Sequence, residues 1–138
     1  MKMPEEIFVD SSAWIALANA NDSHHHEAAS AYTGILKNYK HLAISNLVVA
    51  ETYIVLLREL GHNVAIEFLK RIKASPRILK IWSNENIEME AEQILSKYSD
   101  QDFSYTDAVS FAIMNGRRIK RAFSFDRHFV VAGFANLP

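Results

Sequence analysis

The chain has 138 residues, 49% of them hydrophobic, so it is sized for one compact domain spanning residues 1–138. It contains no cysteine, which excludes a disulfide framework and a thiolate metal site. No apolar run approaches the roughly 20 residues that cross a bilayer, and the N-terminus lacks the apolar core of a signal peptide. We therefore expect a cytoplasmic protein that makes no membrane contact.

The net charge of −1 conceals an uneven distribution of charge along the chain. Ten of the fifteen basic residues fall within two stretches, 70–80 and 117–127, and acidic residues crowd between them at 85–107. Such segregation favours a basic rim beside an acidic centre, as a site that cuts phosphodiesters needs. Solvated helix faces are nevertheless the commoner cause of charge runs.

The first predicted element is a short apolar run, Ile7-Phe8-Val9, which stops at the carboxylate of Asp10. An uninterrupted apolar run predicts a strand covered on both faces, and the serines after it predict a helix from Ser12 to Ala20. Asp10 then lies at the carboxyl end of a strand, where ligands collect in open α/β sheets. The alternative is that Asp10 or Ser11 only caps the helix.

A second helix is predicted from His24 to Tyr39, after a polar turn over residues 19–23. Its start carries three consecutive histidines, His24, His25 and His26. Adjacent side chains on a helix point about 100° apart, so the three rings do not converge on one metal ion. We expect an exposed helix start in which one ring packs or hydrogen-bonds locally.

A carboxylate interrupts the apolar face of the third helix. Residues 42–45 predict a second strand, and Ser45 or Asn46 caps the helix that follows. Glu51 shares its helix face with apolar residues at i−4, i−3, i+3 and i+4. Because an unpaired buried carboxylate is costly, Glu51 needs a partner. A functional role is favoured, and the alternative is a Glu at the edge of the apolar stripe bonded to a nearby Arg or backbone amide.

The middle of the chain predicts supporting structure. A helix runs to Ser75, and Pro76 imposes an extended entry into a third strand over residues 78–82. An amphipathic helix with a solvated acidic face follows over residues 84–98.

Two further carboxylates follow near the C-terminus. Ser104 with Asp107 three residues later resembles a capping box, which explains Asp107 without any chemistry. The helix begun there is predicted to end at a C-cap formed by Asn115 and Gly116. Residues 121–126 repeat the opening arrangement, a short strand that ends in Asp126, and the tail is expected to add an edge strand.

Alternating strands and helices predict a parallel α/β sandwich, in which crossovers carry each strand back to the same edge. Four carboxylates, Asp10, Glu51, Asp107 and Asp126, would then converge at that edge. Like charges at close range repel, so such a cluster needs shared protons or bound cations. Oxygen ligands select hard ions, which predicts Mg²⁺ or Mn²⁺ rather than zinc.

Four segments in this order resemble the PIN domain family, in particular the VapC-like toxins of bacterial and archaeal toxin-antitoxin pairs. They are Phe8-Val9-Asp10-Ser11-Ser12, Ala50-Glu51, Tyr105-Thr106-Asp107-Ala108 and Ser124-Phe125-Asp126-Arg127-His128-Phe129. The resemblance covers nearly the whole chain. It implies a three-layer α/β/α sandwich around a central, mainly parallel sheet of four to five strands.

The resemblance also implies a function and a set of site residues. The activity is that of a metal-dependent endoribonuclease with Mg²⁺ or Mn²⁺, whose acidic metal-binding and catalytic set is Asp10, Glu51, Asp107 and Asp126. Ser12 and Thr106 match small polar positions that support the first and third of these carboxylates. Asp102 falls where members often carry a further acidic residue, and we count it as peripheral. The partners implied are an RNA substrate, a cognate antitoxin protein and a second copy in a homodimer.

Three arginines, Arg117, Arg118 and Arg127, are candidates for phosphate contacts, with solvated helix-end charges as the alternative. The alternative function is a non-catalytic PIN-like module that binds RNA or protein. A phosphoacceptor receiver domain fits poorly, because receivers require paired acids after the first strand. A purely structural α/β domain must account for each of the four carboxylates separately.

Overall fold

The computed structural model describes residues 5–138; residues 1–4, on which the signal-peptide expectation partly rests, lie outside the described part. In chain order the elements are β1 (Glu6–Val9), α1 (Ser11–Ala18), α2 (His25–Asn38), β2 (His41–Ser45), α3 (Asn46–Leu60), α4 (His62–Ala74), β3 (Ile78–Ile81), α5 (Glu85–Lys97), α6 (Tyr105–Arg117), β4 (Arg121–Phe123), α7 (His128–Val131) and β5 (Ala135–Leu137).

The five strands form one parallel sheet in the order β3-β2-β1-β4-β5. The chain therefore proceeds outward from β1 to β3 and then returns to place β4 on the other side of β1. This reversal of strand order makes the carboxyl ends of β1 and β4 a topological switch point, the place where open α/β sheets commonly bind ligands. The predicted α/β/α sandwich with a central parallel sheet is confirmed.

The central strand explains why the first apolar run has no polar interruption. Ile7, Phe8 and Val9 are fully buried, because the sheet is covered by helices on both faces. Helices α1 to α4 form one packed group, and α5, α6 and α7 form another. Helix α6 is buried from Asp107 to Met114, so a carboxylate in its first turn is carried into the interior.

No helix within residues 5–138 has the length and apolar character needed to cross a membrane. The tail forms β5, which pairs with β4 in parallel, as expected for an edge strand.

At the start of α2, His24 and His26 are exposed. His25 is half-buried and donates from Nδ1 to the carbonyl of Ala16 at 2.7 Å, which is the local bond foreseen for one ring.

Two local predictions were wrong, and one short helix was not predicted. Helix α6 continues through Gly116 to Arg117, and its C-cap is Arg118, which adopts the left-handed conformation with φ 58° and ψ 35°. Strand β4 ends at Phe123, so Asp126 lies three residues beyond it in a loop. The short helix α7 follows that loop and was not predicted, because four residues are too few to display a helical period.

Candidate active site

Asp10 lies at the carboxyl end of β1 and is almost fully buried, with 3% of its surface exposed. Its Oδ2 accepts hydrogen bonds from the hydroxyl of Ser12 at 2.9 Å and from the hydroxyl of Ser124 at 3.2 Å. The same oxygen faces the Ser12 amide at 3.4 Å, so Asp10 also caps α1. The capping and functional interpretations of this residue are therefore compatible.

The two serine hydroxyls also bind the loop after β4. Ser12 Oγ accepts a hydrogen bond from the amide of Phe125, and Ser124 Oγ accepts one from the amide of Asp126, each at 3.0 Å. Each hydroxyl thus joins the Asp10 carboxylate to the backbone that carries Asp126. Ser12 was predicted to support Asp10, whereas the role of Ser124 was missed.

Asp107 enters the site from the first turn of α6. Its side chain accepts from the amide of Ser104 at 3.2 Å, while the hydroxyl of Ser104 accepts from the amide of Asp107 at 3.0 Å. This is the predicted capping box, with Asp in the place of Glu. Ser104 therefore supports Asp107 directly. Thr106 was predicted to support Asp107, and its carbonyl accepts a hydrogen bond from the hydroxyl of Ser110 at 2.9 Å.

Glu51 lies in the second turn of α3, outside the group formed by Asp107, Asp126 and His128. Its Oε1 accepts a hydrogen bond from the hydroxyl of Ser11, the residue directly after Asp10. The partner required by a partly buried carboxylate is thus a serine, instead of the Arg or backbone amide considered from the sequence. Ser11 is itself buried, so this bond joins α1 to α3 in the protein interior.

His128, in the first turn of α7, was not predicted as a site residue. Its Nδ1 lies 3.2 Å from Asp126 Oδ1 and 3.4 Å from Asp107 Oδ2, and its Nε2 lies 3.0 Å from Asp102 Oδ1. The signal in the sequence was its position two residues after Asp126, within the last of the four motifs. Asp102, which was counted as peripheral, contacts the cluster through this ring.

Burial and the proximity of other carboxylates raise the pKa of two aspartates at the site. Burial raises the pKa of Asp10 from 3.8 to about 6; the Ser12 hydroxyl opposes that shift, and the carboxylates of Asp107 and Asp126 add to it. Burial also raises the pKa of Asp107, with the nearby Asp126 as a further cause. A cation placed between these groups would reverse both effects, because it favours the charged carboxylates.

The donor set fits a divalent cation. Asp107, Asp126 and His128 each offer one ligand atom, and these three atoms lie within 4.8 Å of one another. Asp10 is close enough for the charges of Asp107 and Asp126 to raise its pKa. Carboxylate oxygens dominate the set, which suits Mg²⁺ or Mn²⁺.

The arginines predicted to contact phosphate separate into two groups. Arg117 forms a two-pronged ion pair with Glu6 at the amino end of β1, with N–O distances of 2.8 and 2.6 Å, and Arg118 follows it. Both lie between a helix end and a strand start, which places them at the sheet edge opposite Asp10, so their predicted phosphate contacts at the site are not supported. Arg127 is exposed and adjoins Asp126 at the carboxyl edge.

Comparison with known proteins identifies the family. The sequence profile described as "PIN domain" matches residues 7–135, nearly the whole chain. The chain belongs to the PIN domain family. Among curated PIN relatives, it is 33% identical over 131 residues to the "23S rRNA-specific endonuclease VapC20" of Mycobacterium tuberculosis, covering 95% of this chain and 97% of the relative. The resemblance to VapC-like toxins predicted from the sequence is confirmed.

Solved PIN structures agree with this assignment. The crystal structure of Mycobacterium tuberculosis VapC20, described as a sarcin-ricin loop cleaving toxin, matches with a TM-score of 0.86 and 32% identity, covering 94% of this chain and 96% of that one. VapBC2 from Rickettsia felis, bound to a DNA fragment from its promoter, matches with a TM-score of 0.71 over 96% of this chain and 99% of that one. At 12% identity, the second match shows the fold alone.

Proposed function

We propose that this PIN protein is an endoribonuclease that hydrolyses RNA phosphodiester bonds with the help of Mg²⁺ or Mn²⁺, and that it is the toxin of a toxin-antitoxin pair. The observation that carries the proposal is the meeting of Asp10, Asp107 and Asp126 at the switch point of the sheet, with Glu51 bonded to Ser11, the residue directly after Asp10. A relative 33% identical over nearly its whole length is named as an rRNA endonuclease, which makes ribosomal RNA the first substrate to test.

The proposed roles follow from the positions of the side chains. Asp10, Asp107 and Asp126 hold the metal, and Glu51 completes its shell or orients the attacking water. When bound, the metal ion neutralises charge on the scissile phosphate and makes a water molecule more nucleophilic at neutral pH. The serine hydroxyls at positions 12 and 124 position the first and last carboxylates. No side-chain nucleophile is needed, because water is the attacking group.

The exposed Arg127 is the proposed phosphate contact, since it adjoins Asp126 at the carboxyl edge of the sheet. Its side chain would bind the RNA backbone near the cleaved bond without reading sequence. Arg117 and Arg118 are not given this role in the proposal, because they precede β4 and lie at the amino edge of the sheet.

The proposal also includes a partner antitoxin and a homodimer. A protein of the same fold has been solved as a VapBC2 assembly on promoter DNA. We expect the chain, when expressed from its natural operon, to copurify with a second polypeptide that inhibits RNA cleavage. Size-exclusion chromatography with light scattering measures whether the isolated chain is a homodimer.

Cleavage of RNA by the purified chain tests the function. Ribosomal RNA and a mixed structured RNA pool are incubated with the wild type and with Asp10→Asn, in EDTA, Mg²⁺ or Mn²⁺. Asp100→Asn is the matched control, because Asp100 is exposed in the loop after α5. We expect cleavage that requires both a divalent ion and Asp10 and that survives in the control. RNA binding without cleavage by a folded, metal-loaded wild type would instead favour the non-catalytic module.

A further inference from the structure

We propose that His128 is a direct metal ligand through Nδ1, that Asp102 orients its ring, and that this nitrogen makes the site prefer Mn²⁺ to Mg²⁺. The inference rests on the proposed function, because it concerns the same ion. It adds a nitrogen ligand to a site that the sequence presents as composed of carboxylates alone.

The first observation is an unpartnered nitrogen at the centre of the cluster. Nδ1 of His128 is buried and has no hydrogen-bond partner among residues 5–138. It nevertheless lies 3.2 Å from Asp126 Oδ1 and 3.4 Å from Asp107 Oδ2, distances at which a well-aligned N–H would form a hydrogen bond. A ring nitrogen that is near two carboxylates but bonded to neither is suited to share a cation with them.

The second observation is the environment of the opposite ring nitrogen. Nε2 lies 3.0 Å from Asp102 Oδ1 in the loop before α6. A carboxylate there accepts a hydrogen bond from Nε2–H, which leaves the lone pair on Nδ1, on the side of Asp107 and Asp126. Histidines that bind metals regularly donate their other N–H to a carboxylate in this way, which fixes the tautomer and the ring orientation.

The ring is also fixed by packing. The side chain of His128 is only 16% exposed, and its ring meets that of Phe103 edge to face with centroids 5.3 Å apart. Phe103 is buried and follows Asp102 directly, so one loop supplies both the packing surface and the orienting carboxylate. A ring held in this way loses little further freedom when it binds an ion.

The nitrogen ligand determines which ion is preferred. Mg²⁺ is bound almost entirely through oxygen and keeps several waters, whereas imidazole nitrogen binds first-row transition ions more readily. Mn²⁺ accepts carboxylates and imidazole together in octahedral geometry. Removing the imidazole is therefore expected to reduce Mn²⁺ affinity much more than Mg²⁺ affinity.

Pulsed electron paramagnetic resonance of Mn²⁺ added to the full chain provides a readout independent of cleavage. The wild type is expected to show ¹⁴N modulation from one imidazole, and His128→Asn is expected to lose it. His62→Asn is the matched control, because His62 is exposed at the start of α4, and it should keep the signal. Circular dichroism checks that each variant folds, and His128→Gln serves as a second variant.

Calorimetric titration completes the test. His128→Asn should lower the affinity for Mn²⁺ by at least about tenfold and the affinity for Mg²⁺ by less than about threefold. Asp102→Asn should lower the affinity for Mn²⁺ by roughly tenfold and should keep the ¹⁴N signal. Tight Mn²⁺ binding to the wild type without ¹⁴N modulation would overturn the inference while leaving the metal-dependent function standing. Failure of the wild type to bind either ion would overturn the proposed function as well.

Discussion

The hydroxyl of Ser124 donates a hydrogen bond to Asp10 Oδ2 across the boundary between β4 and β1, at 3.2 Å. These residues are 114 positions apart in the chain, and Ser124 is buried, with 2% of its surface exposed. The same hydroxyl accepts from the amide of Asp126 at 3.0 Å. One small side chain therefore positions two of the carboxylates proposed to bind the metal.

We expect Ser124→Ala to impair both stability and cleavage. The substitution leaves the amide of Asp126 without its acceptor and removes a donor from Asp10, which should cost about 1–3 kcal/mol in the free energy of unfolding. Displacement of Asp126 should lower cleavage by roughly 10- to 100-fold, as for other residues that orient metal ligands. Urea denaturation and a cleavage assay measure the two effects.

Ser96→Ala is the matched control for this substitution, because Ser96 is exposed on α5. It should leave cleavage unchanged and alter stability by less than about 0.5 kcal/mol. Equal cleavage by the two variants would show that Ser124 does not position the site.

Asp10 should make stability depend on pH when no divalent ion is present. Its pKa is raised from 3.8 to about 6 in the folded chain, so the folded state binds more protons between these values and stability falls as the pH rises through that window. Above the window the loss amounts to at most about 3 kcal/mol. Asp10→Asn, which cannot ionise, should therefore be more stable than the wild type at pH 7 and similar to it near pH 4.

Urea denaturation in EDTA at the two pH values measures this difference. Adding Mn²⁺ at pH 7 should stabilise the wild type, because the ion binds only the folded state, and should stabilise Asp10→Asn much less. A wild type whose stability is the same at both pH values would contradict the assignment of Asp10 as a group with a raised pKa.

The parts of the site that were predictable are those encoded by short, local patterns. The apolar run ending at Asp10 indicated a central strand, and Ser104 with Asp107 indicated a capping box, since both signals depend on residues that are close in the chain. Ser11 and Ser124 were missed as site residues because their carboxylate partners are distant in sequence, and His128 was missed although Asp126 is only two residues away, because its other neighbours, Asp102 and Asp107, lie in another part of the chain. A serine that binds a carboxylate 40 or 114 positions away leaves no local periodicity.

The positions of the arginines could have been inferred from topology. In a parallel sheet, every residue between a helix end and the next strand start lies at the amino edge, whereas residues that follow a strand lie at the carboxyl edge. Arg117 and Arg118 precede β4, and Arg127 follows it. Their clustering in sequence suggested one basic rim, but β4 separates them onto opposite edges.

The hydrogen bond between Ser11 and Glu51 predicts energetic coupling between α1 and α3. In a double-mutant cycle, Ser11→Ala and Glu51→Gln should show a coupling energy of about 1–2 kcal/mol. The reason is that a hydrogen bond from a hydroxyl to a carboxylate is stronger than one to a neutral acceptor. Urea denaturation of the four proteins measures it. Ser11→Ala combined with Glu59→Gln is the control: Glu59 is exposed and bonds Asn19, so those effects should add. Additive effects in the first cycle would contradict the bond.

Replacement by alanine should affect RNA binding at Arg127 and protein stability at Arg117. Arg127→Ala should weaken RNA binding and make that binding less sensitive to salt, because a phosphate contact contributes through the release of counterions. Arg117→Ala should leave RNA binding unchanged and lower the free energy of unfolding by about 0.5–1 kcal/mol, since its ion pair with Glu6 is partly exposed to solvent. Fluorescence anisotropy at several salt concentrations, with EDTA to prevent cleavage, measures binding. If Arg117→Ala reduced affinity as much as Arg127→Ala, RNA would have to reach the amino edge of the sheet, and the carboxyl edge alone would not define the binding surface.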